Sequence, residues 1–266
     1  MRGTEKACLS LLGDPMSGID PGAFLRIAEW WLQSMDHSPT HAAVKAPTLS
    51  GKPMAYTRIQ RKLQQAPIVD SEYVTLMVMP PNDQCFAEPA VSASFRASGE
   101  VLLAVDTAVR VMDSSGWCEI ARRLHAVFPF QYGYNYLMRY EWGPWQYAAG
   151  FVAQTGVGGA RHEEELRTRW MHVRLSPNRN PRGQRIRQVY RLQFLSEGHL
   201  QLDINGTTLR QWILGAAERG RLSLLVNGVW TWTIETDEQT LAANQTLFAA
   251  GLLSAWDPGL AGAITT

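Results

Sequence analysis

The sequence predicts an α+β fold built on antiparallel sheet with packed helices. Three observations carry that prediction. Alternating apolar segments come in runs joined by turn signals, helical stripes sit between the hairpins, and a hairpin followed by a helix occurs twice, at residues 91–127 and 221–253. The two units do not match residue by residue. They fit one α+β domain or two lobes, about 1–155 and 160–266, with a flexible break at Thr155-Gly156-Val157-Gly158-Gly159.

The 266 residues are 45% hydrophobic and 18% charged, enough for a sizeable core, and the net charge of +1 names no partner class. Cys8, Cys85 and Cys118 are odd in number and share no metal or redox spacing, so they read as free thiols in a reducing cytoplasm. The run Lys6–Leu12 is too short for a signal peptide and lacks a cleavage site, and no apolar run of about 18 residues predicts a membrane span.

In chain order, Asp20-Pro21 opens a helix whose stripe is Phe24, Ala28, Trp31, Leu32 and Met35. Residues 36–66 carry several prolines and read as loop with one helical turn around Arg58–Gln64. Tyr73–Met79 predicts a strand stopped by Pro80-Pro81. Val91–Ala97 and Val101–Val109 predict a hairpin. Asp113 caps a helix with the stripe Trp117, Ile120, Ala121, Leu124 and Phe128.

Phe128–Phe151 follows, with ten aromatics in 24 residues. Tyr132, Tyr134, Tyr136, Met138 and Tyr140 alternate onto one strand face, and Gly143-Pro144 ends the strand. Further on, Glu163–Val173 reads as helix, Pro177–Gly183 as loop, Ile186–Leu195 and His199–Ile204 as paired strands, and Thr207–Glu218 as helix. Asn227-Gly228 between Leu222–Val226 and Val229–Ile234 is a type I′ hairpin signature. A plain two-residue turn pairs Leu225 with Trp230, placing Leu222, Leu224 and Val226 on the face of Thr231 and Thr233. Trp230, Trp232 and Ile234 then lie opposite. Thr236-Asp237 caps a last helix with Leu241, Phe248 and Leu252 inward.

Chemical motifs are sparse. There is no P-loop, nucleophile elbow or H-E-x-x-H run, and the six histidines are dispersed, so no catalytic residue, metal site or cofactor is assigned. The charge anomaly is Arg161–Arg191, with nine Arg and three Glu, about +6 by count against about −5 for the remainder. Arg in that density suits carboxylate or phosphate pairing on a docking surface. Nucleic acid is disfavoured as the partner because the whole chain is near neutral and no nucleic-acid module is present.

The tyrosine strand and its stop, Tyr132-Gly133-Tyr134 through Gly143-Pro144 to Tyr147-Ala148-Ala149-Gly150, resemble a pattern in bacterial immunity proteins of polymorphic-toxin and type VI secretion systems. Within them, the chain resembles those paired with restriction-endonuclease-fold nuclease toxins, over about residues 90–255. The resemblance implies a cytoplasmic protein, not an enzyme, that neutralises a cognate toxin by stoichiometric binding. Such proteins are often acidic when their toxin is a basic nuclease, and the +1 charge departs from that habit. The partner-binding candidates are Trp142 and Trp145, Glu163, Glu164 and Glu165, Arg179, Arg182 and Arg185, and Trp230 and Trp232. An enzyme whose aromatic pocket includes Arg139 and Glu141, and an Arg-rich nucleic-acid binder, are the alternatives.

Overall fold

The computed structural model describes residues 5–16, 20–65, 70–80, 89–139, 143–150, 168–172 and 185–258. They form an α+β fold with antiparallel sheet, in two compact units. Unit 1 is Met1–Phe130 with Leu137–Tyr140, and unit 2 is Gln131–Tyr136 with Glu141–Thr266.

Unit 1 contains β1 (Glu5–Gly13), α1 (Pro21–Gln33), β2 (His41–Ala46), β3 (Leu49–Ser50), β4 (Met54–Ala55), α2 (Tyr56–Gln65), β5 (Tyr73–Val78), β6 (Val91–Arg96), β7 (Glu100–Asp106) and α3 (Ser114–His125). Its strands run in the order β1-β7-β6-β5-β2-β3, with β4 also paired to β2. Every residue of β7 is buried, so both sheet faces are covered there. That explains why β1 was not legible as a strand. Buried on both faces, it reads as a short continuous apolar run without alternation.

The two long helices of unit 1 keep their predicted stripes. Asp20 and Asp113 accept backbone N–H bonds at the N-termini of α1 and α3, and all the named stripe residues are buried. Phe24, Phe95 and Phe128 pack in sequence with tilted rings at 5.4 and 5.0 Å between centroids, joining α1 to β6 and to the chain after α3. On the outer face of α3, Glu119 accepts from Arg123, whose guanidinium lies 3.7 Å from the Trp30 ring centroid.

Residues 36–66 are not the loop their prolines suggest. His41–Ala46 has modest strand propensity, yet β2 forms because His41–Lys45 pairs with β5. A full helix, α2, replaces the single expected turn.

Unit 2 contains most of β8 (Phe130–Arg139), then α4 (Pro144–Ala149), β9 (Leu192–Ser196), α5 (Glu197–Leu200), β10 (Asp203–Ile204), β11 (Thr207–Thr208), α6 (Leu209–Leu214), a 3₁₀ turn at Ala217–Arg219, β12 (Arg221–Val226), β13 (Val229–Thr233) and α7 (Asp237–Ala249). Its main strands run β12-β13-β9-β8, all antiparallel.

Four expectations change here, the first being the helix Thr207–Glu218, which is β11, the shorter α6 and a 3₁₀ turn. Only the end of Ile186–Leu195 joins the sheet. The preceding residues are held by single contacts instead. Asn244 accepts from the Val189 amide and donates to its carbonyl, Ser254 N–H donates to Ile186 O, and Ala255 N–H donates to Arg187 O. The expected strand His199–Ile204 is α5 plus a two-residue strand, because Ser196 and His199 form a capping box that starts a helical turn. In α7 the inward residues are Ala243, Asn244 and Leu247, whereas Leu241 and Phe248 are exposed. The helix turns its polar Asn244 inward because Val189 offers it two backbone bonds.

The β12–β13 hairpin corrects the face assignment. A bulge between Leu224 and Val226 sets Leu224, not Leu225, opposite Trp230. Leu222 and Leu224 therefore share a face with Trp230 and Trp232, and Leu225 is buried away from them.

Candidate functional site

The aromatic face of unit 2 is built by register. Tyr132 stands opposite Leu195 and Tyr134 opposite Gln193, and Gln193 stands opposite Trp232. Directly opposed side chains share a face, so the tyrosines of β8, Gln193 and the two tryptophans of β13 form one continuous layer.

Over the tyrosine part of that layer lies the short helix α4. Gly143 begins it in a left-handed conformation (φ 70°), and Pro144 supplies its first turn without needing an N–H partner. Six residues leave most of its carbonyls unpaired, and side chains satisfy them. Tyr136 Oη donates to Pro144 O at 2.8 Å, Trp170 Nε1 to Ala148 O at 3.0 Å, and Arg187 Nη1 to Tyr147 O at 2.6 Å. A cation at a helix C-terminus also meets the negative end of the peptide dipoles.

Arg187 is the centre of this arrangement. It is 2% exposed. Its guanidinium lies 3.8 Å from the Tyr147 ring centroid and donates from Nη1 to Tyr134 Oη at 2.8 Å. Its backbone N–H donates to Tyr132 Oη at 3.0 Å. Tyr190 stacks on Tyr134 at 4.7 Å and 9°, and its hydroxyl pairs with that of Tyr147 at 3.0 Å. Burial works against the guanidinium charge, but the surrounding tyrosine oxygens of Tyr134, Tyr190 and Tyr147 outweigh it, so Arg187 stays charged. Burial pushes the Tyr132 and Tyr190 phenols well above their usual range, so both are neutral donors and acceptors.

The tryptophan end of the layer differs. Trp232 is fully buried, with Nε1 donating to Arg219 O at 2.7 Å and its ring edge-on to Trp212. It is packing rather than the contact surface expected of it. Trp230 is half-buried and fixed from two sides. Its Nε1 donates to Glu197 Oε1 at 2.8 Å, and Arg210 lies 4.2 Å from its ring centroid while pairing with Glu197 at 2.7 Å. The Trp230 bond, then the Arg210 bond, hold the Glu197 carboxyl below its usual range. Beside Trp230 stands Leu224, 57% exposed, and one turn beyond Arg210 on α6 is Leu214, 65% exposed.

Of the other candidates, Trp145 is half-buried on α4, and Arg185 is exposed just before Ile186. Trp142, Glu163, Glu164, Glu165, Arg179 and Arg182 lie outside the described residues, as does Glu141. Glu197, Arg210 and Leu224 were not singled out from the sequence, nor was Arg187. Arg187 sits inside the arginine-rich stretch, where composition marks the segment but not which member turns inward. Among the described residues no group of three or more His, Cys, Asp or Glu is placed to hold a metal ion, and no helix is long and apolar enough to cross a membrane.

No protein-family model matches the sequence, and no curated protein matches it. The fold, however, is similar to a solved structure, the Pseudomonas aeruginosa T6SS protein PA0821. The TM-score is 0.56 at 10% sequence identity, over 94% of this chain and 73% of that one. At that identity the likeness is one of fold.

Proposed function

We propose that the chain is an immunity protein that binds a cognate secreted toxin, a nuclease, in the bacterial cytoplasm and neutralises it by stoichiometric association. The observation that carries this reading is the Trp230 surface. An indole held by a carboxylate and a guanidinium, flanked by the exposed Leu224 and Leu214, has the composition of a pre-ordered binding anchor. Trp and Arg lose little freedom on binding when already fixed, and the apolar flanks add area to desolvate. The fold likeness to a T6SS protein supports the secretion-system setting, alongside the sequence resemblance around the tyrosine strand.

The test is co-purification with the protein encoded beside this chain, together with rescue of cells that express it. Association at micromolar concentration and restored growth are expected. A toxic neighbour that neither associates nor is neutralised would remove the immunity reading.

A further inference from the structure

The Arg187 cage has a feature that its structural contacts leave unexplained. Among the described residues, both side-chain hydrogen bonds of the guanidinium leave from Nη1, and the buried Nε meets no partner. No carboxylate among the described residues forms an ion pair with Arg187. A buried charge whose partners are all neutral is costly, and Nε and Nη2 together form the edge that engages a carboxylate or phosphate through two parallel N–H···O bonds. On the same sheet face, across from Tyr134, Gln193 is fully buried, and neither of its amide atoms pairs among the described residues. Unpaired buried polar atoms are uncommon, and two side chains carrying them next to Tyr134, one bonded to its hydroxyl and one opposite it on β9, point to a missing polar partner.

We propose that the Nε edge of Arg187, within the cage of Tyr132, Tyr134, Tyr147 and Tyr190, is a binding site for a small oxyanion of the carboxylate or phosphate class. The site selects by charge and by fork geometry. The ring of Tyr147 holds the guanidinium plane in place, and Nη1 is anchored by Tyr134 and the Tyr147 carbonyl, which leaves the other edge pre-oriented. The rings of Tyr134 and Trp170 lie 5.5 and 5.6 Å from the guanidinium carbon, so the surroundings of the charge are largely aromatic. This site is separate from the Trp230 surface and stands whether or not that surface binds a toxin.

The test uses the whole chain, equilibrated overnight with sodium acetate, sodium phosphate or sodium chloride at equal ionic strength. A saturable rise in Tm is expected with acetate or phosphate but not chloride, of about 5 °C at a hundredfold excess over Kd. Acetate alone identifies a carboxylate ligand, and phosphate alone a phosphate ligand. In parallel, the arginine Nε–H resonances of the wild-type protein are followed by ¹⁵N NMR during the same titrations. One buried Nε–H signal is expected to move, with the same Kd as the thermal shift. Arg187→Lys keeps the charge but loses the fork, and is expected to weaken binding at least tenfold. Equal thermal responses to all three salts, uniform movement of all arginine signals, or full binding by the folded Lys variant would each overturn the proposal.

Discussion

At Tyr132 a single hydroxyl decides whether a buried backbone group is satisfied. It accepts from the Arg187 amide, and its ring stacks on His199 at 5.0 Å. Tyr132→Phe keeps the ring and leaves that amide without a partner, so the unfolding free energy should fall by about 1–3 kcal/mol in a urea titration. A second residue sets a pH dependence. Burial lowers the His125 imidazole below its ordinary value of 6.5, against the edge of Phe130 at 5.2 Å. The unfolded chain therefore binds this proton more readily than the folded one. The contribution is fully present above pH 6.5 and is lost as pH falls through the lowered folded value. Stability measured from pH 7.5 to 5 should decline, and His125→Asn should flatten that part of the slope. An unchanged slope in the variant would exclude His125 as its source.

The β12–β13 hairpin shows the same physics at the scale of an element. Gly228 has φ 76° while Asn227 keeps a negative φ, so the turn is not the type I′ that Asn-Gly predicts, which needs positive φ at both positions; a Cβ on Gly228 meets nothing within 4 Å. Gly220, at the entry to β12, has φ 91°, and a Cβ there stands 2.3 Å from Thr233 O and 3.1 Å from Trp232 Nε1. Gly228→Ala should therefore cost only the backbone strain, about 1–2 kcal/mol. Gly220→Ala should cost more, about 3 kcal/mol or above, because a ladder carbonyl and a buried indole must both shift. Thermal melts of the two variants compare them directly, and equal costs would mean that the strand end yields freely. The hairpin itself was legible because Asn-Gly is a local signal. Its facing was not, because a one-residue bulge reverses every side chain beyond it and carries no mark in the sequence.

For the whole molecule, the proposed function rests on a surface assembled from α5, α6 and the hairpin. Leu224→Asp changes an exposed side chain at its rim, so Tm should stay within about 1 °C. Binding to the protein encoded beside this chain should weaken at least tenfold. Trp230→Ala should weaken it by about 30-fold or more, the usual scale for a central tryptophan. Both are measured by titration calorimetry with that protein. Unchanged affinity in both would move the interface elsewhere on the chain.

Local chemistry was enough to determine the α+β class, the caps and stripes of α1 and α3, the tyrosine strand with its Gly-Pro stop, and the Asn-Gly hairpin. Each depends on residues within a few positions of one another, where periodicity and turn chemistry act directly. Tertiary structure decided the rest. β1 and β2 are strands because neighbours pair with them, and α7 turns Asn244 inward because a distant backbone needs it. Among the described arginines of the basic stretch, Arg187 is the one enclosed by tyrosines from β8, α4 and the chain before β9. No sequence spacing encodes that choice, since the oxygens that hold its charge lie 40 and 53 positions away.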